Sequence, residues 1–447
     1  MLGKFNSISA LTKFQKWQQP SYFKGFNMSV WDNNDDRMVN QQDFDSLKAI
    51  GATLVVIQTQ GSLQVKPPYG PNIAYQEGDL TIYHIDRLDS MVGFARNAEL
   101  MYVIAVRDGP GRVDISDDIG TTTIWKNQTE QQLYGQMLKD MAKRYLPDSL
   151  FVGMTLTVEP NPMGEMWEPP ISELDSALKT NGINLNNLYS LWIDSIRTLD
   201  KDLPLIIGGV HANHPEYFSL MSKQADDKII YVTHLYNPGN FSHEQTANSV
   251  TYPDNYWCVR LNENSYFHRT FLKESLYKPV RDFQTTYNVP ILIGEFGLRV
   301  PQNGGEIYLS DIAGIACEFG WHFAIWGFNN GPEFNYKDLD SIYGTNYWGT
   351  VKSFMKCENT DVAEKIGLSE SIVLYPNPSN GKVIFESGIV PLSKAEIYNV
   401  FGILIHTIIK TNNERSLEIN ISMFPRGVYF VKTFNKNNIQ TLKLILN

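Results

Sequence analysis

A (β/α)8 TIM barrel followed by a small all-β sandwich domain is the α/β fold class that this sequence predicts. Three observations carry that expectation. Short apolar runs alternate with amphipathic stretches between residues 20 and 355. A polar stretch, CENTDVAEKIGLSE, then breaks the rhythm. The remainder is a set of β-rich runs with no helical period.

The apolar runs supply eight strand candidates, at residues 22–27, 53–58, 100–107, 151–159, 205–208, 229–236, 291–295 and 323–328. Helical stretches stand between most of them. QQDFDSLKAIG precedes the second run, with Phe44, Leu47 and Ile50 on one face and Gly51 as its stop. DRLDSMVGFARNAEL precedes the third, EQQLYGQMLKDMAKRYL the fourth and NNLYSLWIDSIRTLD the fifth. Eight such repeats in about 330 residues fit a barrel with some loop insertions. A doubly wound sheet is the alternative, but its Gly-rich phosphate turn has no counterpart here. The tail runs IVLYPNPSNGKVIFES, AEIYNVFGILIHTIIK, RSLEINISMF and GVYFVKTFNKNNIQTLKLILN are separated by PNPSNG, NNER and FPRG. About 79 residues of this kind suit a small antiparallel sandwich. The expected division is a barrel at 1–355, a linker at 356–369 and a sandwich at 370–447.

Composition bounds the function. A chain of 447 residues, 43% of them hydrophobic, can bury a sizeable core. A formal charge of −10 argues against a nucleic-acid partner, because phosphate recognition needs a concentrated basic surface. No run of 18 apolar residues exists, so no membrane span is expected. Cys258, Cys317 and Cys357 are too few and too scattered for a disulfide framework or a zinc site. The first twenty residues contain no apolar h-region and do not form a signal peptide as written.

In a (β/α)8 barrel the chemistry sits at the C-terminal strand ends. Two apolar runs close on an acid there. LTVEPNP stops at Glu159, with Pro160 and Pro162 behind it, and PILIGEFG stops at Glu295, with Gly297 to turn the chain away. Two carboxylates across one barrel mouth are what glycoside hydrolysis needs: one protonates the leaving oxygen and the other attacks the anomeric carbon. Each acid alone has the plainer reading of a salt-bridge or cap partner.

The pattern resembles the cellulase-like glycoside hydrolases of family five, in the clan of retaining (β/α)8 glycosidases. Gly25-Phe26-Asn27 is similar to the family's Gly-hydrophobic-Asn at the first strand. His234-Leu235-Tyr236-Asn237-Pro238, followed by Phe241-Ser242-His243-Glu244, is similar to its run after strand six. Gly294-Glu295-Phe296-Gly297 matches the nucleophile motif, and Trp326 the strand-eight sugar platform. The resemblance implies Glu159 as acid/base and Glu295 as nucleophile, with Arg107, His234, Tyr236, Trp326 and Asn27 as substrate-binding residues and a polysaccharide or oligosaccharide as substrate. Tyr236 is expected to orient Glu295, and His234 to bond a sugar hydroxyl or the acid/base. Trp31, Trp125, Trp167 and Trp348 are outer stacking candidates, each with packing as its plainer role.

Three positions depart from that family. Val158 stands where the family carries an Asn that bonds the sugar 2-hydroxyl; Gln58 replaces a strand-two Arg; Arg107 replaces a strand-three His. Arg107 is a candidate to take over from the missing strand-two cation. Arg107 and Arg112 at the mouth would also suit an acidic or decorated glycan.

The tail resembles the C-terminal sorting domain of the type IX secretion system. Its carriers are Leu374-Tyr375-Pro376-Asn377-Pro378, Ile397-Tyr398-Asn399 with Gly402, Gly427-Val428-Tyr429 and Lys443-Leu444-Ile445-Leu446. A generic sandwich or carbohydrate-binding module is the plainer reading. The resemblance implies export by that secretion machinery to the cell surface or medium. That route needs a signal peptide, so a shortened chain or a misplaced start codon is expected.

Other motifs carry less. His211 and His214 have metal-like spacing but no third ligand, and the acidic loops at 32–36 and 114–118 lack EF-hand spacing. No serine-hydrolase elbow, Walker loop or zincin motif is present. No cofactor or metal is expected. The sequence supports a secreted retaining β-glycosidase, endo-acting on a β-glucan or β-mannan, with a surface glycan-binding protein on a degraded barrel as the alternative.

Overall fold

The computed structural model describes residues 11–30, 39–59, 85–112, 122–164, 169–258, 261–328, 333–357, 372–387, 393–409, 416–434 and 439–447. The chain divides into two compact units, Met1–Cys357 and Glu358–Asn447. Most of the expected linker lies outside the described residues, as do the two acidic loops, Trp31 and Trp167.

The first unit is a closed parallel barrel. Its strands are β1 (Lys24–Ser29), β2 (Leu54–Thr59), β3 (Met101–Val106), β4 (Phe151–Thr155), β5 (Leu205–Gly208) and β6 (Ile229–Leu235). After a hairpin, β7 (Asp254–Cys258) and β8 (Glu263–Phe267), the barrel resumes with β9 (Ile291–Phe296) and closes with β10 (His322–Ile325) against β1. The hairpin was not foreseen, because its short runs NYWC and NSYF lie inside a long polar insertion. Strand ends elsewhere differ from expectation by at most three residues, the last strand stopping at Ile325 and not at 328. The fourth strand is the exception: it stops at Thr155 rather than reaching Glu159.

Two apolar clusters hold the barrel. One lies between strands and helices, where Trp192, Tyr134 and Met137 pack with Leu156 and Ile207. The other includes Val56, Val103, Val152, Ile206, Ile230 and Leu292. Phe14 and Trp17, on a short helix Lys13–Trp17 started by a Thr12 capping box, join that second cluster. The Trp17 indole N–H donates to the Val152 carbonyl at 2.9 Å. Buried His322 accepts from the Phe23 N–H at 3.1 Å through Nδ1 and lies 2.8 Å from the Trp17 carbonyl through Nε2. Gly25 has no alternative: a Cβ there would sit 1.7 Å from the Leu54 carbonyl oxygen of β2.

Cys317 and Cys357 form a disulfide, with Cα atoms 5.6 Å apart and 40 residues between them in sequence. The scattered spacing did not foretell this pairing, and a single bond is not a disulfide framework. The bond joins the helix Gly305–Phe319 to the chain just beyond the helix Tyr347–Phe354.

The second unit is all antiparallel. A three-stranded sheet orders β11 (Ile372–Tyr375), β12 (Lys382–Ser387) and β15 (Ser416–Asn420). A four-stranded sheet orders β14 (Leu404–Ile409), β13 (Lys394–Asn399), β16 (Gly427–Phe434) and β17 (Ile439–Leu446). Val383 and Phe385 of the first sheet share one core with Ala395, Ile397, Val431 and Leu444 of the second. The PNP motif has a structural role here. The Asn377 amide donates to the Lys443 carbonyl at 2.6 Å, and its oxygen accepts from the Ile445 N–H at 2.8 Å. The first motif of the unit thereby pins its last strand.

Cutting the disulfide should lower stability without removing the fold. Cys317→Ser, or reduction of the native bond, is expected to cost about 2–4 kcal/mol in denaturant unfolding, from the loop entropy returned to the unfolded chain. An unchanged midpoint would show that the bond carries no stability.

Candidate active site

Both acids stand at the same mouth by different means. Glu295 is the next-to-last residue of β9, and its side chain is 5% exposed. Glu159 lies four residues beyond β4. Leu156 and Val158 still donate to strand-like partners, the Ile206 carbonyl at 3.0 Å and the Val106 carbonyl at 2.9 Å. Glu159 then takes φ +50°, and Pro160 follows. A left-handed residue there turns the carboxylate toward the mouth, where it is 22% exposed. The buried Arg112 guanidinium braces the turn. It donates to the Val158 carbonyl at 2.6 Å, the Glu159 carbonyl at 3.3 Å, the Arg107 carbonyl and the Thr157 hydroxyl. Arg112 therefore supports the loop and does not face a glycan.

One oxygen of each carboxylate and one ring nitrogen of His234 lie within 4.8 Å of one another. Arg107 stands against both acids. Its guanidinium donates to Glu159 Oε2 at 3.2 Å and to Gln58 Oε1 at 2.6 Å, and lies 3.6 Å from Glu295 Oε1. Gln58 in turn donates to Glu295 Oε1 at 2.5 Å and to Asn27 Oδ1 at 3.1 Å. Arg107 thus supplies, from the third strand, the positive charge that the second strand lacks. Its charge faces protein carboxylates, which removes the argument for an acidic glycan.

Tyr236 donates to Glu295 Oε2 at 3.0 Å. Burial, with the neighbouring carboxylates, raises its phenol well above the usual range and keeps it a donor. His234 Nδ1 lies 2.8 Å from Glu159 Oε1. His234 is the register partner of Glu295, one residue past a bulge in β6. Gly294 makes room for it: a Cβ there would lie 2.8 Å from His234 Nε2 and 2.4 Å from a Val232 methyl.

Asn27 does not face the sugar. It is buried, and its amide donates to the Gly294 carbonyl at 2.7 Å and the Ala324 carbonyl at 3.1 Å. It locks β1 to β9 and β10 and holds Gln58 in line. Trp326 is half-buried just past β10, with the Arg107 guanidinium 6.0 Å from its ring centre. Trp125 is buried in the core, and Trp348 packs between Phe26 and Phe328. Both are packing residues. Val158 is buried with the barrel cluster of Val103 and Ile206.

Burial opposes charge on both acids. At Glu159 the His234 hydrogen bond and the charges of Arg107 and His214 outweigh burial and hold the carboxyl at about 2. At Glu295 burial and the charge of Glu159 prevail over His234, Arg107 and Gln58, and the carboxyl is raised. Two acids this close titrate as a pair, the second ionisation being opposed by the first.

Glu159, His234 and Glu295 are also the one group among the described residues with metal-like ligand spacing. A cation there would compete with Arg107, whose charge already meets both carboxylates. His211 and His214 belong to no three-ligand cluster among the described residues. Burial lowers His211 to about 3 and His214 to about 4, so both are neutral near pH 7.

The family profile described as Cellulase (glycosyl hydrolase family 5) matches residues 14–331. The chain belongs to glycosyl hydrolase family 5. It is a glycoside hydrolase. Endoglucanase C of Acetivibrio thermocellus is 23% identical over 348 residues, covering 72% of this chain and 92% of that protein. Endoglucanase 3 of Fibrobacter succinogenes is 26% identical over 271 residues, covering 54% of this chain and 38% of that one. The crystal structure of endoglucanase Cel5A from the hyperthermophile Thermotoga maritima shares the fold, with TM-score 0.54, 17% identity, and coverage of 77% of this chain and 100% of that one. The profile of the secretion system C-terminal sorting domain matches residues 373–447, which implies export of this family 5 hydrolase by the type IX route.

Two substitutions test the site. Arg107→Leu leaves the acid pair without its cation. The charged forms lose stabilisation, carboxyl pKa values rise, and the acidic limb of the kcat/KM profile should move to higher pH by a unit or more. Gly294→Ala should displace the His234 ring and lower kcat at least tenfold with little change in KM, read by steady-state kinetics.

Proposed function

We propose that the chain is an exported retaining β-glycosidase, endo-acting on a neutral polysaccharide of β-glucan or β-mannan type. Glu295 is the nucleophile and Glu159 the acid/base. The observation that carries this reading is the carboxylate pair, whose nearest oxygens lie within 4.8 Å. An oxygen–oxygen approach of that order fits the short carboxyl separation of double displacement, about 5–5.5 Å, better than the wider one of an inverting enzyme.

Exposure and hydrogen bonding support the roles, while the charge balance of the free site, which lowers Glu159 and raises Glu295, runs opposite to them until a glycoside is bound. Glu295 is the more enclosed acid and takes donors from Gln58 and Tyr236. These dipoles hold negative charge on a nucleophile and aim its oxygen. Glu159 is the more exposed and so the one a leaving group can reach. A bound glycoside, whose bridging oxygen meets Glu159, draws the pair's proton to that acid. Glu295 attacks the anomeric carbon as Glu159 gives its proton to the departing sugar oxygen. Glu159, now a base, takes a proton from the water that releases the sugar from Glu295. Trp326 offers its ring face to the sugar.

The relatives favour the substrate class. Two are named endoglucanases, and the Thermotoga maritima Cel5A structures include complexes with cellobiose and with mannotriose. Surface glycan binding without turnover rested on three altered positions. Gln58 and Arg107 both reach the nucleophile, so two of those positions argue for a working site.

Turnover decides between the readings. Glu295→Gln should abolish reducing-sugar release from carboxymethyl cellulose, barley β-glucan and glucomannan, while Glu159→Ala should retain far more activity on dinitrophenyl β-cellobioside than on polysaccharide. NMR of the first product should show the β-anomer. Full release by the Glu295 variant, or an α-anomer, would overturn the assignment.

A further inference from the structure

The loop after β5 carries three consecutive left-handed residues, His211 at φ +59°, Ala212 at +53° and Asn213 at +60°. None is a glycine, and each such residue costs on the order of 1 kcal/mol or more. A strained run persists only where its surroundings over-determine it. Here they do. Ala212 N–H meets the Pro160 carbonyl at 3.3 Å, directly behind Glu159. The Asn213 carbonyl accepts from the His234 N–H at 2.9 Å and from the Thr233 hydroxyl at 2.9 Å, across the β6 bulge. The loop therefore ties the turn that carries Glu159 to the strand end that carries His234.

The Asn213 side chain adds something a backbone tie does not. It is fully buried, and its Nδ2 lies 3.3 Å from His234 Nε2. Gly208 leaves the space: a Cβ there would fall 2.0 Å from Asn213 Oδ1. In this orientation, which leaves the buried Oδ1 without a hydrogen-bond partner, the amide N–H faces Nε2 and that nitrogen accepts. The ring proton must then sit on Nδ1, where it donates to Glu159 Oε1 at 2.8 Å. We propose that Asn213 is a positioning residue for the acid/base: its amide fixes His234 as the Nδ1–H tautomer, so that Glu159 Oε1 is always an acceptor and the catalytic proton falls to Oε2, the oxygen that also meets Arg107. The spacing of His211 and His214, which suggests half a metal site, frames this asparagine instead.

Other charges face the same ring and carboxylate, and the effect is read against them. Arg107 comes from β3, Glu295 from β9, Tyr236 and His243 from the segment after β6, and His214 from the loop itself. Both carboxylates face Nδ1, Glu159 at 2.8 Å and Glu295 at 3.8 Å, while the Asn213 amide meets Nε2.

The inference rests on Glu159 as acid/base for its catalytic consequence, but not for its first readout. Nitrogen-15 NMR of histidine-labelled protein, with His234 assigned by its loss in His234→Gln, reports the tautomer directly. Wild type should show a neutral ring protonated on Nδ1. Asn213→Asp is isosteric and tolerates the left-handed backbone, and it should move a proton onto Nε2. Its kcat should fall about 10–100-fold, the usual loss when an outer partner of a site residue is changed, with altered pH dependence and a melting temperature near wild type. An Nε2–H ring in wild type, or an Asp variant with an unchanged spectrum, would overturn the proposal. A shifted tautomer with unchanged kcat would also overturn the positioning role, whereas the acid/base role of Glu159 stands or falls separately with Glu159→Ala.

Discussion

Two carboxylates whose oxygens approach within 4.8 Å in a buried mouth repel one another strongly, because little water is present to screen them. Most of the architecture around the mouth answers that repulsion. Arg107 places one guanidinium against both charges. A guanidinium suits this position because its planar fork stays charged and serves several acceptors at once. Gln58 carries the effect to Glu295, since it accepts from Arg107 and donates to that carboxylate. Asn27 holds Gln58 in place and is itself held by the carbonyls of two neighbouring strands. A charge problem at two atoms thus reaches back into barrel closure.

The acids differ because their supports differ. Glu295 belongs to a strand and inherits its rigidity. Glu159 hangs on a turn in a disfavoured conformation, kept there by Arg112 from one side and by the loop after β5 from the other. Rigid placement suits an atom that must attack along one line. Under the proposed roles, a turn suits an acid that serves two steps in succession, first giving a proton and then taking one.

The barrel was legible because its signal is local. Apolar runs closed by turn residues located all eight strands, and the two acids stood out as the polar ends of such runs. The family motifs named His234, Tyr236 and Trp326, and the first two do touch the acid pair. What stayed hidden depends on pairing across the fold. The left-handed turn at Glu159 is imposed by Arg112, 47 residues away in sequence. The burial of Asn27 and Trp125 depends on which strand or helix each meets, and side-chain type alone does not settle that. Asn213 matches no motif, because its function comes from facing one nitrogen of a ring on the next strand.

The disulfide has a mechanical consequence. Cys357 is the last described residue of the barrel unit, and the sorting domain follows it in the chain. Any pull exerted on the tail during export arrives first at this residue. Without a covalent anchor such a force would peel the helix Tyr347–Phe354 from the barrel edge, one contact after another, as a zipper opens. With the bond in place the load is shared at once with the helix Gly305–Phe319, to which Cys357 is covalently tied. Because such a bond endures in oxidising surroundings, the anchor is strongest on the side of the membrane where the enzyme works.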